Sequence, residues 1–382
     1  MNRAAGKILI WSVVLVASVS LFAWMFLGNF RLPFSLPFDF GSNGGGSREL
    51  STVKEEQVAS DPETLNITWY SGEVRLLSGG DHIRVVQKGT SSLRQEDAFE
   101  LEESDGGRTL TVKDRRRSTF SFLGFGMGRS DLEITLPEKQ YRSLTAELTS
   151  ADLSADALQA DSVRIKSASG DLSVTGRFGE AVLATTSGDI RVLNVACTGS
   201  LTAGSTSGDI RAAGLSCGTL DLASTSGDIS LSGRAESVTA ASTSGDVNLD
   251  GMQASSGIQV GTASGDIRGN GVDCSLLTVS STSGDIRMEG RFTGIQLGTT
   301  SGDASLTTSA ALESLSSDSV SGTVTVSMPD NGGFDLSFQK VSGRFHCDFP
   351  TTESGGRYRY QNGGASFSAH TVSGDFYLRR NG

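Results

Sequence analysis

Residues 204–214 read GSTSGDIRAAG, and near copies of the central Ser-Gly-Asp recur down the chain. With the Gly as reference they fall at Gly170, Gly188, Gly208, Gly227, Gly245, Gly265, Gly284, Gly302 and Gly322, at spacings of 18, 20, 19, 18, 20, 19, 18 and 20 residues. A variant, Ser150-Ala151-Asp152, lies 19 residues before the first. So steady a period marks a stacked repeat, in which each unit buries its apolar side chains only against its neighbours.

The residues between the markers identify the element that repeats. Seven and five positions before the Gly the chain is mostly aliphatic, as at Leu220 and Leu222, Ile258 and Val260, or Leu277 and Val279. Three positions before it there is always a hydroxyl: Ser167, Thr185, Ser205, Ser224, Ser242, Thr262, Ser281, Thr299 and Ser319. This alternation has period two and therefore predicts strand. After the Gly the apolar residues stand at plus two and plus four, as in Ile229 and Leu231 or Ile286 and Met288. The inward parity changes across the tripeptide, which one continuous strand cannot do, so Ser-Gly-Asp marks a corner. Gly suits a corner with special backbone geometry or close approach, and Ser and Asp bond readily to nearby backbone.

The predicted fold is all-β: a parallel β-solenoid or β-helix of about ten ~19-residue coils. At ~4.8 Å per coil these would stack to about 50 Å. No proline falls between Pro137 and Pro329, as hydrogen-bonded sheet requires. The core should be narrow, because Phe178 and Phe292 are the only aromatic residues between Asp152 and Met328.

Asp follows the Gly at Asp171, Asp189, Asp209, Asp228, Asp246, Asp266, Asp285 and Asp303. Stacked carboxylates repel, and Arg at plus three (Arg191, Arg211, Arg268, Arg287) would share their face and offset part of that repulsion. A calcium-binding edge is the alternative, but one carboxylate per coil gives thin coordination, so no metal or cofactor ligand is assigned. Cys197, Cys217 and Cys274 each lie nine residues after their Gly and share one column. On consecutive coils Cys197 and Cys217 are spaced for either a disulfide or two buried thiols.

Residues 49–148 keep the strand alternation without the repeat and read as an N-terminal β cap. Within them Asp105-Gly106-Gly107 signals a hairpin, and RRRSTFSFLGFGMGR, residues 115–129, forms a basic and apolar loop suited to lipid headgroups or a partner, or simply a mobile loop. Residues 149–328 are the repeat. Residues 329–382 hold degenerate copies at Gly343 and Gly374 with larger aromatics, and read as a C-terminal β cap.

Ahead of all this, residues 8–27 (ILIWSVVLVASVSLFAWMFL) carry no charge and are long enough to span a bilayer as one helix. Arg3 and Lys7 predict a cytoplasmic N-terminus, so residues 1–28 read as a stub and anchor, 29–48 as a linker, and the rest as extracytoplasmic. The apolar run exceeds the usual h-region, and no small-residue cleavage site follows it, which favours an anchor over a cleaved signal peptide. The net charge of −11 argues against a nucleic-acid partner.

No catalytic residue is assigned. His82, His346 and His370 stand apart from any Glu or Cys at a metal-ligand spacing, and no serine sits in a nucleophile-elbow pattern. A ladder of Asp suggests a polysaccharide-active enzyme only if one pair is singled out, which a uniform column does not do.

The recurring T-S-G-D-I, Leu136-Pro137 before the repeat and the closing TVSGDFYL at residues 371–378 resemble the bacterial β-strand-repeat family labelled "putative adhesin", a domain of unknown function. The resemblance covers residues 60–382, and the family includes membrane-anchored members of the Lia-type envelope-stress system. It implies a non-enzymatic binding or scaffold protein of the cell envelope, with an envelope protein or glycan as partner. A polysaccharide-active β-helix enzyme and a calcium-stabilised surface repeat are the alternatives.

Overall fold

The computed structural model describes residues 50–90, 93, 95–116 and 130–381. The proposed anchor at 8–27 and most of the basic and apolar loop lie outside them. The described chain is built from strands and falls into two compact units, one within residues 23–198 and one within 199–382.

In the second unit the coils stack as parallel strands in sequence order. Ser200–Ser205 pairs with Ile210–Ser224, which pairs in turn with Ile229–Ser242, Val247–Thr262, Ile267–Ser281 and Ile286–Thr299. Equivalent residues align, so Leu220 lies beside Val238, Val238 beside Ile258 and Ile258 beside Leu277. The aliphatic positions before and after each corner are buried, as at Leu222, Ile229, Val247, Val260 and Ile286. Each such side chain is worth roughly 1.5–3 kcal/mol once both neighbouring coils cover it.

The uneven period has a local cause. The 18-residue coil from Gly227 to Gly245 takes the shortest path, while the next, with 20, carries one extra residue before Met252 and another before Gly257. Coils of 19 carry only the first of these, as the register shift between Ala212 and Leu215 records. The first insertion needs a left-handed residue: Gly214, Gly251 and Gly271 have φ of 67°, 67° and 66°. These are β-bulges, which add a residue without moving the strands on either side.

The first unit contains the same kind of stack, Tyr141–Ser167 on Leu172–Thr185 on Ile190–Cys197, with Ala157 and Asn194 in the left-handed place (φ 51° and 52°). Strand Thr64–Ser78 then pairs with Tyr141–Ser167 on one side and with both Thr109–Lys113 and Ser130–Leu136 on the other. The repeat therefore extends further towards the N-terminus than its sequence signature. Antiparallel strands finish the end: Ile83–Gly89 on Ser130–Leu136, Ser51–Val58 on Ile83–Gly89, and Glu100–Ser104 in the expected hairpin with Thr109–Lys113.

The C-terminal end shows a matching departure from chain order. Strand Ala365–Thr371 lies between Ser314–Ser319 and Gly333–Lys340, and Phe376–Arg380 lies between Val324–Met328 and Phe345–Cys347. The last segment of the chain is thus an internal rung, inserted beneath one that precedes it in sequence. The aromatics expected here fill the end: Phe334 stacks on Phe367 with centroids 4.9 Å apart and meets Phe349 edge-on at 5.5 Å, and an antiparallel hairpin, Thr351–Ser354 with Arg357–Gln361, covers part of it.

Candidate functional site

The Ser-Gly-Asp edge is the repeated feature most able to carry chemistry, and its atoms are committed to the backbone. The Gly is required by close approach. A Cβ on Gly245 would lie 2.1 Å from the carbonyl oxygen of Gly227 and 2.5 Å from its carbon, both unyielding backbone atoms. No positive φ is involved at these corners, unlike the bulge glycines.

The hydroxyl three residues earlier points inward and holds the turn. Ser242 is fully buried; its Oγ accepts from the Gly245 N–H at 2.9 Å and donates to the Gly227 carbonyl at 3.1 Å. Thr262 repeats both bonds with Gly265 and Gly245, and in the first unit Thr185 does so with Gly188 and Gly170. Buried backbone groups at a sharp corner have no strand partner, and in these three coils the hydroxyl satisfies two of them.

The Asp performs the third task. Oδ1 of Asp228 accepts the N–H of Asp246 at 2.8 Å, and the pattern continues through Asp246 to Asp266, Asp266 to Asp285 and Asp285 to Asp303. In the first unit Asp152 serves Asp171, and Asp171 serves Asp189. Each carboxylate is therefore the acceptor for the next corner's amide. The remaining oxygen faces solvent, where Arg268 spans Asp246 and Asp266 at 3.1 and 2.5 Å and Arg191 spans Asp171 and Asp189 at 3.4 and 2.9 Å. These are two of the four arginines expected there; their exposure limits each pair to about 1 kcal/mol or less. At the C-terminal end Arg344 donates its N–H to Asp375 and offers no carboxylate for a further rung.

Sequence reading missed a variant of this corner. Ser71-Gly72-Glu73 is a Ser-Gly-acid corner, and a Cβ on Gly72 would lie 1.9 Å from the Ser130 carbonyl oxygen. Trp69 stands where the hydroxyl should be, and its indole N–H donates to that same carbonyl at 3.1 Å, performing the hydroxyl's donor role with a larger group. Asp114, whose side chain is fully buried, accepts from the Tyr70 N–H, and Arg116 pairs with it at 2.5 Å while donating to the Ser71 carbonyl at 2.9 Å. The Arg116 guanidinium lies 5.4 Å from the Trp69 ring centre. The S-G-E-V spelling at 71–74 was the available signal; Asp114 and Arg116 had none, because the corner residues they bond, Tyr70 and Ser71, lie more than 40 residues away.

The other candidate groups are dispersed. His346 stacks flat on Tyr377 with centroids 4.6 Å apart, whereas His370 faces the Asp318 and Gln339 positions on neighbouring strands, and His82 is exposed. Cys217, Cys274 and Cys347 are free thiols. Burial pushes Cys217 up to about 11 and Cys274 up to about 12, so both are protonated and unreactive at neutral pH. Cys274 lies beside Ala254 and Phe292, and in the first unit Cys197 is buried beside Phe178. Among the described residues no group of three His, Cys, Asp or Glu side chains is placed to hold a metal.

No curated protein matches the sequence. Solved structures resembling it include a "putative adhesin" from Parabacteroides distasonis (13% identity, 88% of this chain and 98% of that one, TM-score 0.35) and one from Bacteroides fragilis (15%, 68% and 97%, TM-score 0.34). A "putative lipid binding protein" from Parabacteroides distasonis is a third (13%, 87% and 98%, TM-score 0.28). With TM-scores this low, they carry no inference about a ligand. The Toastrack family, DUF4097, matches over residues 63–258 and 232–379. The corner chemistry fits so repetitive a family, and the chain belongs to it: this is a Toastrack DUF4097 protein, an all-β repeat domain of unknown function.

Proposed function

We propose that this Toastrack protein is a membrane-tethered, adhesin-like scaffold that presents a non-enzymatic binding surface outside the cytoplasmic membrane, in the cell-envelope stress setting that its family resemblance implies. The observation that carries the reading is the commitment of the repeat's Ser, Gly and Asp to backbone bonds, as in the Ser242, Gly245 and Asp246 corner. A repeat whose buried hydroxyl and one oxygen of each Asp serve its own backbone is built to hold a regular surface, and what that surface displays is free to vary. The Asp column also answers poorly to polysaccharide cleavage, since each member from Asp228 to Asp285 spends one oxygen on the next corner's amide.

The tether is the uncharged run at 8–27, oriented by Arg3 and Lys7, with residues 29–48 as the linker. Cell fractionation with protease shaving tests the reading. The protein should sediment with membranes, and protease added to cells stripped of their wall should digest residues after 49 while sparing an N-terminal tag. Recovery in the soluble cytosol, or protection of the repeat from external protease, would overturn it.

A further inference from the structure

Where a bulged 19-residue coil is followed by an 18-residue one, the second unit carries a step on one outward edge, away from the Ser-Gly-Asp corners. The 19-residue coil from Gly265 sets two residues, Asn270 and Gly271, against a single Glu289 in the following 18-residue coil, where the register shifts between Gly269 and Val272. The bulge stands out over the shorter coil and leaves a cleft of about 380 Å³. Gly271, Gly290 and buried Val272 are among the residues that line it.

The walls carry a varied polar set. Gln253, Asp273 and Arg291 form one row across three coils, each beside the next in register. The Arg291 guanidinium lies 3.7 Å from the Asp273 carboxylate. Asn270 and Glu289 are exposed, and among the described residues none forms a hydrogen bond or ion pair with either side chain. Thr307 stands beside Glu289, and Asn381 closes the far side with its amide bound to the Thr308 carbonyl at 3.0 Å. Amides, carboxylates and a guanidinium spread over successive rungs offer both donors and acceptors along a line, with two carboxylates against one guanidinium.

We infer that this cleft binds a neutral, hydroxyl-rich oligosaccharide laid across the rungs. The volume is at the lower end of what small-ligand sites enclose, and it suits a short glycan segment in an open groove. The ladder spacing of ~4.8 Å lets successive sugars meet successive coils. Excess carboxylate disfavours uronic or other acidic glycans. The assignment rests on the scaffold reading, because it names the ligand class for that surface.

Calorimetric titration of the full chain in detergent with N-acetylglucosamine tetramer, maltotetraose and tetragalacturonate tests it. A neutral oligosaccharide should bind, and the acidic one should not. Asn270→Ala and Glu289→Ala should each weaken that binding about three- to tenfold, the loss of one hydrogen bond, while the thermal midpoint stays unchanged because both side chains are exposed. Ser230→Ala, on a different face, should leave binding unaltered. No binding of either neutral probe, equal binding in the variants, or preference for tetragalacturonate would overturn the assignment. Such a failure in a protein correctly located outside the membrane sinks the cleft alone, whereas cytosolic recovery sinks the scaffold reading.

Discussion

Replacing Gly245 with Ala tests whether close approach governs the corner. The new Cβ would lie 2.1 Å from the Gly227 oxygen, 2.5 Å from its carbon and 2.9 Å from the Asp228 nitrogen. None of these atoms belongs to a side chain that can swing away, so the two coils must part by roughly an ångström at the corner. That separation breaks the Ser244 N–H to Thr225 carbonyl bond at 3.0 Å, the Asp246 to Asp228 bond at 2.8 Å and the Ser242 to Gly227 bond at 3.1 Å. Three bonds at about 1 kcal/mol each, with overpacking strain of about 1–3 kcal/mol, give a loss of about 4–6 kcal/mol. Gly251→Ala is the control: its φ of 67° disfavours a side chain by about 1–2 kcal/mol, but nothing lies within 4 Å of the added Cβ. Equilibrium urea unfolding followed by far-ultraviolet circular dichroism measures both, and midpoints are the quantity to compare because repeat arrays depart from two-state behaviour. If Gly245→Ala lowers the midpoint no more than Gly251→Ala does, the close-approach account of the Ser-Gly-Asp corner is wrong.

Ser242→Ala strands the buried Gly245 N–H and Gly227 carbonyl and should cost about 2–4 kcal/mol in the same urea assay, while Ser242→Thr should be nearly neutral because Thr262 makes equivalent bonds. Asp246→Asn keeps an acceptor for the Asp266 N–H and should shift stability by less than about 1 kcal/mol, and a chelator should leave the thermal midpoint unchanged; a large chelator effect would restore the calcium reading. Ala157→Gly relieves a φ of 51° and should stabilise the protein by about 1 kcal/mol, read as a higher urea midpoint. Burial raises the folded pKa of Cys274 to about 12, so its contribution to stability is constant below the unfolded thiol's ~8.5 and falls as pH rises from there towards 12. Ellman's reagent at pH 8 should accordingly label Cys274 only as fast as the protein unfolds.

Much of the repeat was legible because its information is local and repeated. Period-two burial, a hydroxyl at minus three and a parity change at each Gly recur in every coil, and the fully buried Leu220, Ile229 and Val247 occupy the places that pattern assigns. Even the relief of the Asp column by arginine followed from position alone for Arg191 and Arg268. The acceptor role of each Asp did not, since it depends on where the next coil's amide falls. Nor did the cleft beside Asn270, which arises from a one-residue difference between neighbouring coils that a list of spacings records but does not place at a corner.

What the chain determined by itself was the unit: strand, corner, strand, with glycine where two backbones nearly touch. Only the tertiary structure decided the order of units at the ends. Strand Ala365–Thr371 slips between Ser314–Ser319 and Gly333–Lys340, and Thr64–Ser78 lies between Tyr141–Ser167 and the pair Thr109–Lys113 and Ser130–Leu136. A rung's side chains state that it needs two covered faces, and any rung of matching width can provide the cover. The selection among them is made by long-range fit, such as Phe334 on Phe367 and Trp69 reaching the Ser130 carbonyl, and those contacts exist only once the chain has folded back.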